Sequence, residues 1–265
     1  MNSIGIRQTS NHTRLDRRTR IGLLLSLTAI VIALLYVIDP VEQTSAYHNF
    51  ADKRSWWGIP NTWNVMSNLG FLITGSFGLA TLAKARIRSS SVIIYATLFA
   101  GVILTGLGSA WYHYNPDNDT MVWDRLPMTI IFMSLLAATI VEFIGSSKPL
   151  LILALLICLG TGSVIWWHSG EQHGVGDLRP YILVQYYPIV LIPLILWLFP
   201  KSGYDPGVRQ LLMVVLWYII AKVLDAGDKA VYETLHIVSG HTLKHLAAAI
   251  STWYFVSLFR VRYKY

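Results

Sequence analysis

Eight apolar runs, each long enough to cross a lipid bilayer, constrain this chain more than any other feature. They lie approximately at residues 21–38, 62–84, 91–113, 121–144, 149–168, 180–199, 208–226 and 239–259. At a rise of about 1.5 Å per residue, runs of this length match a hydrocarbon core about 30 Å thick. Lipid offers no partner to a backbone N–H or C=O, so each run must close its own hydrogen bonds as a helix. No alternating strand pattern competes with that reading. Composition points the same way, with 54% of residues hydrophobic and 13% charged, where a soluble domain carries about a quarter charged. The expected fold is an all-α membrane protein with eight spans.

The net charge of +7 could serve nucleic acid, but its distribution argues for a membrane. Basic residues gather at the N-terminus (Arg7, Arg14, Arg17, Arg18, Arg20), around Lys84, Arg86 and Arg88, at Lys148, between Lys201 and Arg209, and at Arg260, Arg262 and Lys264. These fall in alternate connections, while the intervening ones are mixed or acidic. With eight crossings the positive-inside rule puts both termini in the cytoplasm. The first run is longer than a signal-peptide core and is followed by Asp39-Pro40-Val41-Glu42 rather than a cleavage site, so it reads as a retained anchor. Residues 1–20 read as a polar cytoplasmic tail. Trp56, Trp57, Trp63, Trp166, Trp167, Tyr186 and Tyr187 read as an interfacial belt. The single cysteine, Cys158, reads as an inert packing residue.

Polar groups at membrane depth are costly, and each needs a reason. Gly108 to His113 close the third run, with Ser109 and His113 four residues apart and so on one helical face. Asp124 lies just inside the fourth run. Ser239 to His245 open the last run, where His241 and His245 are again four apart. The orientation puts all three places on the extracytoplasmic side. Three imidazoles from two helices can supply the nitrogen ligands of a catalytic zinc and leave a fourth position for water. Asp124 then suits a proton carrier, and Ser109 a donor to an oxyanion. The same residues also fit plain packing, with the histidines bonding backbone carbonyls and Ser109 easing helix contact. Spacing alone leaves both open.

The order Ser-x3-His, an aspartate 11 residues after that histidine, and a late His-x3-His resembles the alkaline ceramidase family. That family belongs to the CREST superfamily, with adiponectin receptors and hemolysin III-like proteins. The resemblance covers residues from about 50 to 260 and takes in Asn64 to Leu69, Gly108 to Met128 and Ser239 to Ala248. It implies zinc on His113, His241 and His245, oxyanion support from Ser109, and Asp124 as acid/base. It also implies a seven-transmembrane-helix bundle at residues 46–260, preceded by one additional N-terminal transmembrane anchor at 21–45 and followed by a basic tail at 261–265. The implied reaction is cleavage of the N-acyl bond of ceramide or a related membrane lipid, and the stretch Asp52 to Asn68 looks like that of bacterial inner-membrane members.

Eukaryotic ceramidases have a calcium site in the corresponding stretch, built from several carboxylates. This chain departs from them, because Asp52 is the only carboxylate between Tyr47 and Asn61, and Asn61 stands where the family places a glutamate. Asp52, Asn61 and Asn64 still offer oxygen ligands for calcium, and the alternative is a capped turn at Pro60 and Asn61. Asp177, Arg179, Lys222, Asp225 and Asp228 suit ion pairs that tie helix ends. His168, His173 and His236 are reserve metal ligands. The rival function is a receptor-like protein with a structural zinc, since the superfamily contains receptors. A transporter is disfavoured, as no pair of broken helices recurs in matching halves.

Overall fold

The computed structural model describes residues 15–85, 89–201 and 203–263. Arg7, Arg14, Arg86, Arg88 and Lys264 lie outside the described residues. The elements are helical: α1 (Arg17–Val37), α2 (Thr62–Met66), α3 (Leu69–Lys84), α4 (Ser90–Tyr114), α5 (Asn118–Thr139), α6 (Pro149–Gln172), α7 (Arg179–Leu198), α8 (Pro206–Ala226), α9 (Asp228–Leu235) and α10 (Gly240–Tyr263). A 3-10 turn at Ser45–His48 precedes α2, and a π turn at Ile140–Ile144 follows α5. No strand occurs among the described residues, where pairing is confined to an isolated bridge between Trp56 and Ile59.

Among the described residues, seven segments are long and apolar enough to span a membrane: α1, Thr62–Lys84, α4, Asn118–Ile144, α6, α7 and α8. The last helix, α10, matches them in length at 24 residues but not in apolarity. It carries Lys244, Arg260, Arg262 and two histidines. The expected eighth crossing therefore rests on a helix whose polar residues need partners inside the protein.

The chain divides into two units, Met1–Val37 and Ile38–Tyr265. In the first, α1 exposes Leu23, Leu25, Ile30 and Leu34, an apolar surface of the kind that lipid covers. In the second, α4 packs on α3 and α5, α5 on α6 and α7, and α10 on α8 and α3. Small residues let these backbones approach. A Cβ on Gly70 would press on Ala249, and one on Gly78 would enter the Phe99 ring.

One such approach positions the site. Pro127, inside α5, has no N–H to give the carbonyl four residues earlier, that of Trp123. That carbonyl occupies the place where a Cβ on Gly108 would sit. Gly108 thus lets α4 lie against the opening turns of α5, beside Asp124. Asp117 starts α5 with a reciprocal capping box to Thr120. At the start of α10, a Cβ on Gly240 would collide with the Leu224 carbonyl and the Asp228 backbone. The last helix begins tucked beneath the α8–α9 turn.

Two side chains depart from expectation in their placement. Cys158 is exposed on α6 rather than packed, because its face of the helix is one that lipid can cover. Trp167 is fully buried, unlike Trp56, Trp57 and Trp166, which are exposed. A ring stacked beneath a buried guanidinium, described below, is the reason.

Candidate metal centre

His113 comes from the last turn of α4, and His241 and His245 from the first turns of α10. All three are buried, and their ligand atoms lie within 4.8 Å of one another. The Nε2 of His113 is 3.2 Å from that of His245 and 3.3 Å from that of His241. Tetrahedral zinc with bonds of about 2.0–2.1 Å would hold two nitrogens roughly 3.3–3.4 Å apart. Three imidazoles facing nitrogen to nitrogen have too few protons in suitable positions to satisfy one another, so a shared cation explains the convergence better than hydrogen bonding. The three residues can hold a metal ion. Among the described residues, no other group of histidines, cysteines or carboxylates does so.

Outer contacts orient two of the rings. Ser67 donates to the Asn64 carbonyl at 3.1 Å, so its oxygen is free to accept from His245 Nδ1 at 2.8 Å. Asp225 Oδ1 lies 3.2 Å from His241 Nδ1. Both contacts place the ring proton on Nδ1 and leave Nε2 as the lone-pair donor toward the centre, as in carboxylate–histidine–metal sites. His113 Nδ1 is buried without a partner. Lys244 Nζ donates to His241 Nε2 at 2.9 Å and also lies 3.2 Å from Asp225 Oδ1. A metal on that nitrogen requires the ammonium to turn to the carboxylate.

The start of α10 is braced from three directions. Asp228 Oδ1 accepts from the His241 backbone N–H at 2.7 Å, and its Oδ2 accepts from Ala51 N–H at 2.9 Å. Ser239 Oγ accepts from Thr242 N–H at 3.1 Å, capping the helix. Asn64 Oδ1 accepts from the Thr242 hydroxyl at 2.8 Å. The segment tied down by Asp228 carries Phe50, whose ring lies 4.7 Å from that of His113 and 4.9 Å from that of His241. Phe50 therefore roofs two of the three imidazoles.

No protein-family model matches the chain, and no curated protein or solved structure matches it either. The likeness to ceramidases rests on the motif residues alone.

A cavity of about 330 Å³ opens beside the cluster, between α5, α7, α8 and α10. Ser109, Asp124 and His245 border it together; its walls are mostly apolar, from Phe71 through Met128 and Ile192 to Phe255. That combination of apolar lining and a few convergent polar groups is usual for a small-molecule site. Tyr47 also borders it, and burial pushes its phenol up to about 12, so it stays a neutral donor at working pH.

The other expected ligands have different partners. Both carboxylate oxygens of Asp52 are held by Arg54, at 2.9 and 2.6 Å. Asn61 takes the helix-start position with a left-handed φ of 47° and makes no side-chain cap. Its amide donates instead to the His113 carbonyl at 2.9 Å. With Asp52 neutralised by Arg54, this stretch lacks the free negative charge on which calcium sites are built. His168 pairs with Asp119, His173 bonds the Ser169 carbonyl, and neither joins the cluster; nor does His236.

Two of the expected ion pairs form, Asp177 with Arg179 at 2.9 Å and Lys222 with Asp225 at 2.8 Å, whereas Asp228 accepts from the backbone N–H groups of Ala51 and His241 instead. Burial opposes the charge on Asp177, but hydrogen bonds from Arg179 and its positive charge hold the carboxyl below the usual range. Sequence reasoning missed the contact of Asp225 with His241. The signal lay in its position, one helix-turn-helix before His241, but spacing does not specify which way that turn folds. Asp225→Asn is expected to weaken metal binding by roughly 10–100-fold while leaving all three ligands in place. Competition against a chelator of known affinity measures this, and an unchanged constant would remove Asp225 from the orienting role.

Proposed function

We propose that the chain is an integral membrane, zinc-dependent amide hydrolase that cleaves the N-acyl bond of ceramide or a related N-acyl lipid. The observation that carries this reading is the buried triad His113, His241 and His245 at zinc-compatible separations, beside a mostly apolar cavity that Ser109 and Asp124 also border. In this reading α10 is the eighth crossing, α1 is an anchor before a seven-helix core, and both termini are cytoplasmic. The polarity of α10 then follows from its task, since its histidines, Thr242 and Ser251 are buried toward its neighbours. The site lies toward the extracytoplasmic side of a bacterial inner membrane, and the resemblance supplies the bacterial part.

His113, His241 and His245 would hold the ion. Three imidazoles, two of them held in one tautomer by Ser67 and Asp225, suit zinc, which accepts nitrogen ligands at low coordination number. When bound, zinc polarises a carbonyl and lowers the pKa of a water. Asp124 takes a proton from the attacking water onto a carboxylate oxygen and returns it to the departing amine nitrogen. The water oxygen bonds the carbonyl carbon, the C–N bond breaks, and a fatty acid and an amine leave. Ser109 donates its hydroxyl proton toward the oxygen that gains charge. Phe50 keeps bulk water from the cluster.

A receptor-like protein with a structural metal is the second reading. One observation favours it: of the three imidazoles, His245 borders the cavity, while Phe50 covers the other two. Incubation of purified protein with a panel of N-acyl lipids, scored by mass spectrometry for fatty acid release, separates the two. Release from at least one lipid is expected. Zinc-loaded protein that releases nothing from any of them favours the receptor reading.

A further inference from the structure

Arg125 is 6% exposed, inside α5. Its guanidinium carbon lies 4.2 Å from the Trp167 ring centre and 4.9 Å from that of Tyr181. Those rings answer the faces of the guanidinium. The N–H donors lie on its edge, and there the accounting fails. Nη2 donates to the Gln43 side chain, Nη1 is buried with no partner, and Arg125 makes no ion pair among the described residues. Other enclosed cations of this protein are matched: Arg179 by Asp177, Arg262 by Asp205 and Glu142, Lys222 and Lys244 by Asp225. A buried charge without a counter-ion is strongly disfavoured, above all at membrane depth. A missing anion is the simplest account.

The place for that anion is the cavity that Arg125 borders. Lys222 and Lys244 border it too and share one carboxylate, Asp225; the carboxylates of Glu42 and Asp124 also border it, and neither forms an ion pair with Arg125. Farther along, Leu135, Ile192, Val214 and Phe255 make the walls apolar. From Asp124 to Leu135 the wall runs about 16 Å along α5 at 1.5 Å per residue, enough for an extended acyl chain.

We propose that this cavity takes a single-chain amphiphile with an anionic headgroup, its carboxylate or phosphate oxygens on the Arg125 guanidinium edge and its acyl chain along the apolar end. A planar fork of donors suits either anion by paired hydrogen bonds. A neutral sphingoid headgroup leaves the guanidinium without a counter-ion. Placing the amide of this ligand beside Asp124 rests on the hydrolase reading; the preference for an anion does not.

The test is equilibrium binding by titration calorimetry to the full-length, zinc-loaded protein in detergent. The probes are N-lauroylglycine, N-lauroyl phosphoethanolamine and the neutral N-lauroylethanolamine. At least one anionic probe is expected to bind about tenfold or more tightly than the neutral one, the worth of a charge-assisted hydrogen bond. Which of the two wins identifies carboxylate or phosphate. In Arg125→Met the preference should vanish while neutral binding persists. Equal affinity of the wild type for all three probes, no binding of any, or a preference that survives Arg125→Met would each overturn the proposal. If that variant does not fold, the wild-type ranking decides alone. Fatty acid release scored in parallel keeps the two readings apart. Anion preference without release defeats the hydrolase and leaves the headgroup site standing; release without preference does the reverse.

Discussion

Protein purified without chelator is expected to carry about one zinc per chain, lost when His113, His241 or His245 is replaced by Ala. The expectation follows from separations of 3.2 and 3.3 Å between buried Nε2 atoms; Lys244 donates to that of His241 alone, and a metal ion would answer all three. Removing one imidazole leaves two ligands and a hole. The loss of affinity should therefore exceed the roughly 10–100-fold that an outer hydrogen-bond partner costs. Because zinc binds the folded chain, the loaded form should also melt higher than the chelated one, by about 2.7 kcal/mol of stability at a hundredfold excess over Kd. Elemental analysis by plasma mass spectrometry measures the first effect and a thermal scan with and without chelator the second. Wild-type protein free of zinc, with the same melting point in both scans, would end the metal reading and the hydrolase with it.

The second large effect belongs to Asp124. Asp124→Asn keeps the shape of the side chain and removes its capacity to take a proton. Hydrolysis should fall by about 10²–10⁴-fold, the worth of a positioned acid/base, with zinc content unchanged. Asp124 makes no ion pair or hydrogen bond with another described side chain, so the change asks little of the fold. That separates it from Asp225, whose carboxylate faces His241, Lys222 and Lys244 and whose loss should register in metal affinity. Full activity in zinc-loaded Asp124→Asn would remove Asp124 from the chemistry. A loss of zinc in the same variant would make it a ligand or a support instead.

The two variants also show how unevenly the site could be read from residues alone. His241 and His245 share a face because any helix brings residues four apart together. Ser109 and His113 do so for the same reason. The meeting of these pairs joins positions 128 and 132 residues apart, which no local pattern encodes. It depends on Gly108 and Pro127 admitting α5 against α4 and on Gly240 tucking under Asp228, each a contact between backbones distant in sequence. Phe50 had no polar signature to mark it as a roof. Trp167 had the composition of a belt residue, and only its packing against Arg125 places it inside. Asp52 offered the right atom for calcium, but a neighbouring Arg54 claims both its oxygens.

The long helices were legible from sequence to within a few residues, but the short α9 and the break between α2 and α3 were not. Apolarity over some twenty residues is a one-dimensional property, and lipid leaves the backbone no answer but a helix. The eighth run is where that logic weakens, since the polar residues of α10 pay for their burial through partners on α2, α4 and α8. Which polar groups converge, and which are consumed by their neighbours, was decided by tertiary structure. Imidazoles, carboxylates and guanidinium groups act over a few ångströms, and only packing of distant segments sets distances of that size.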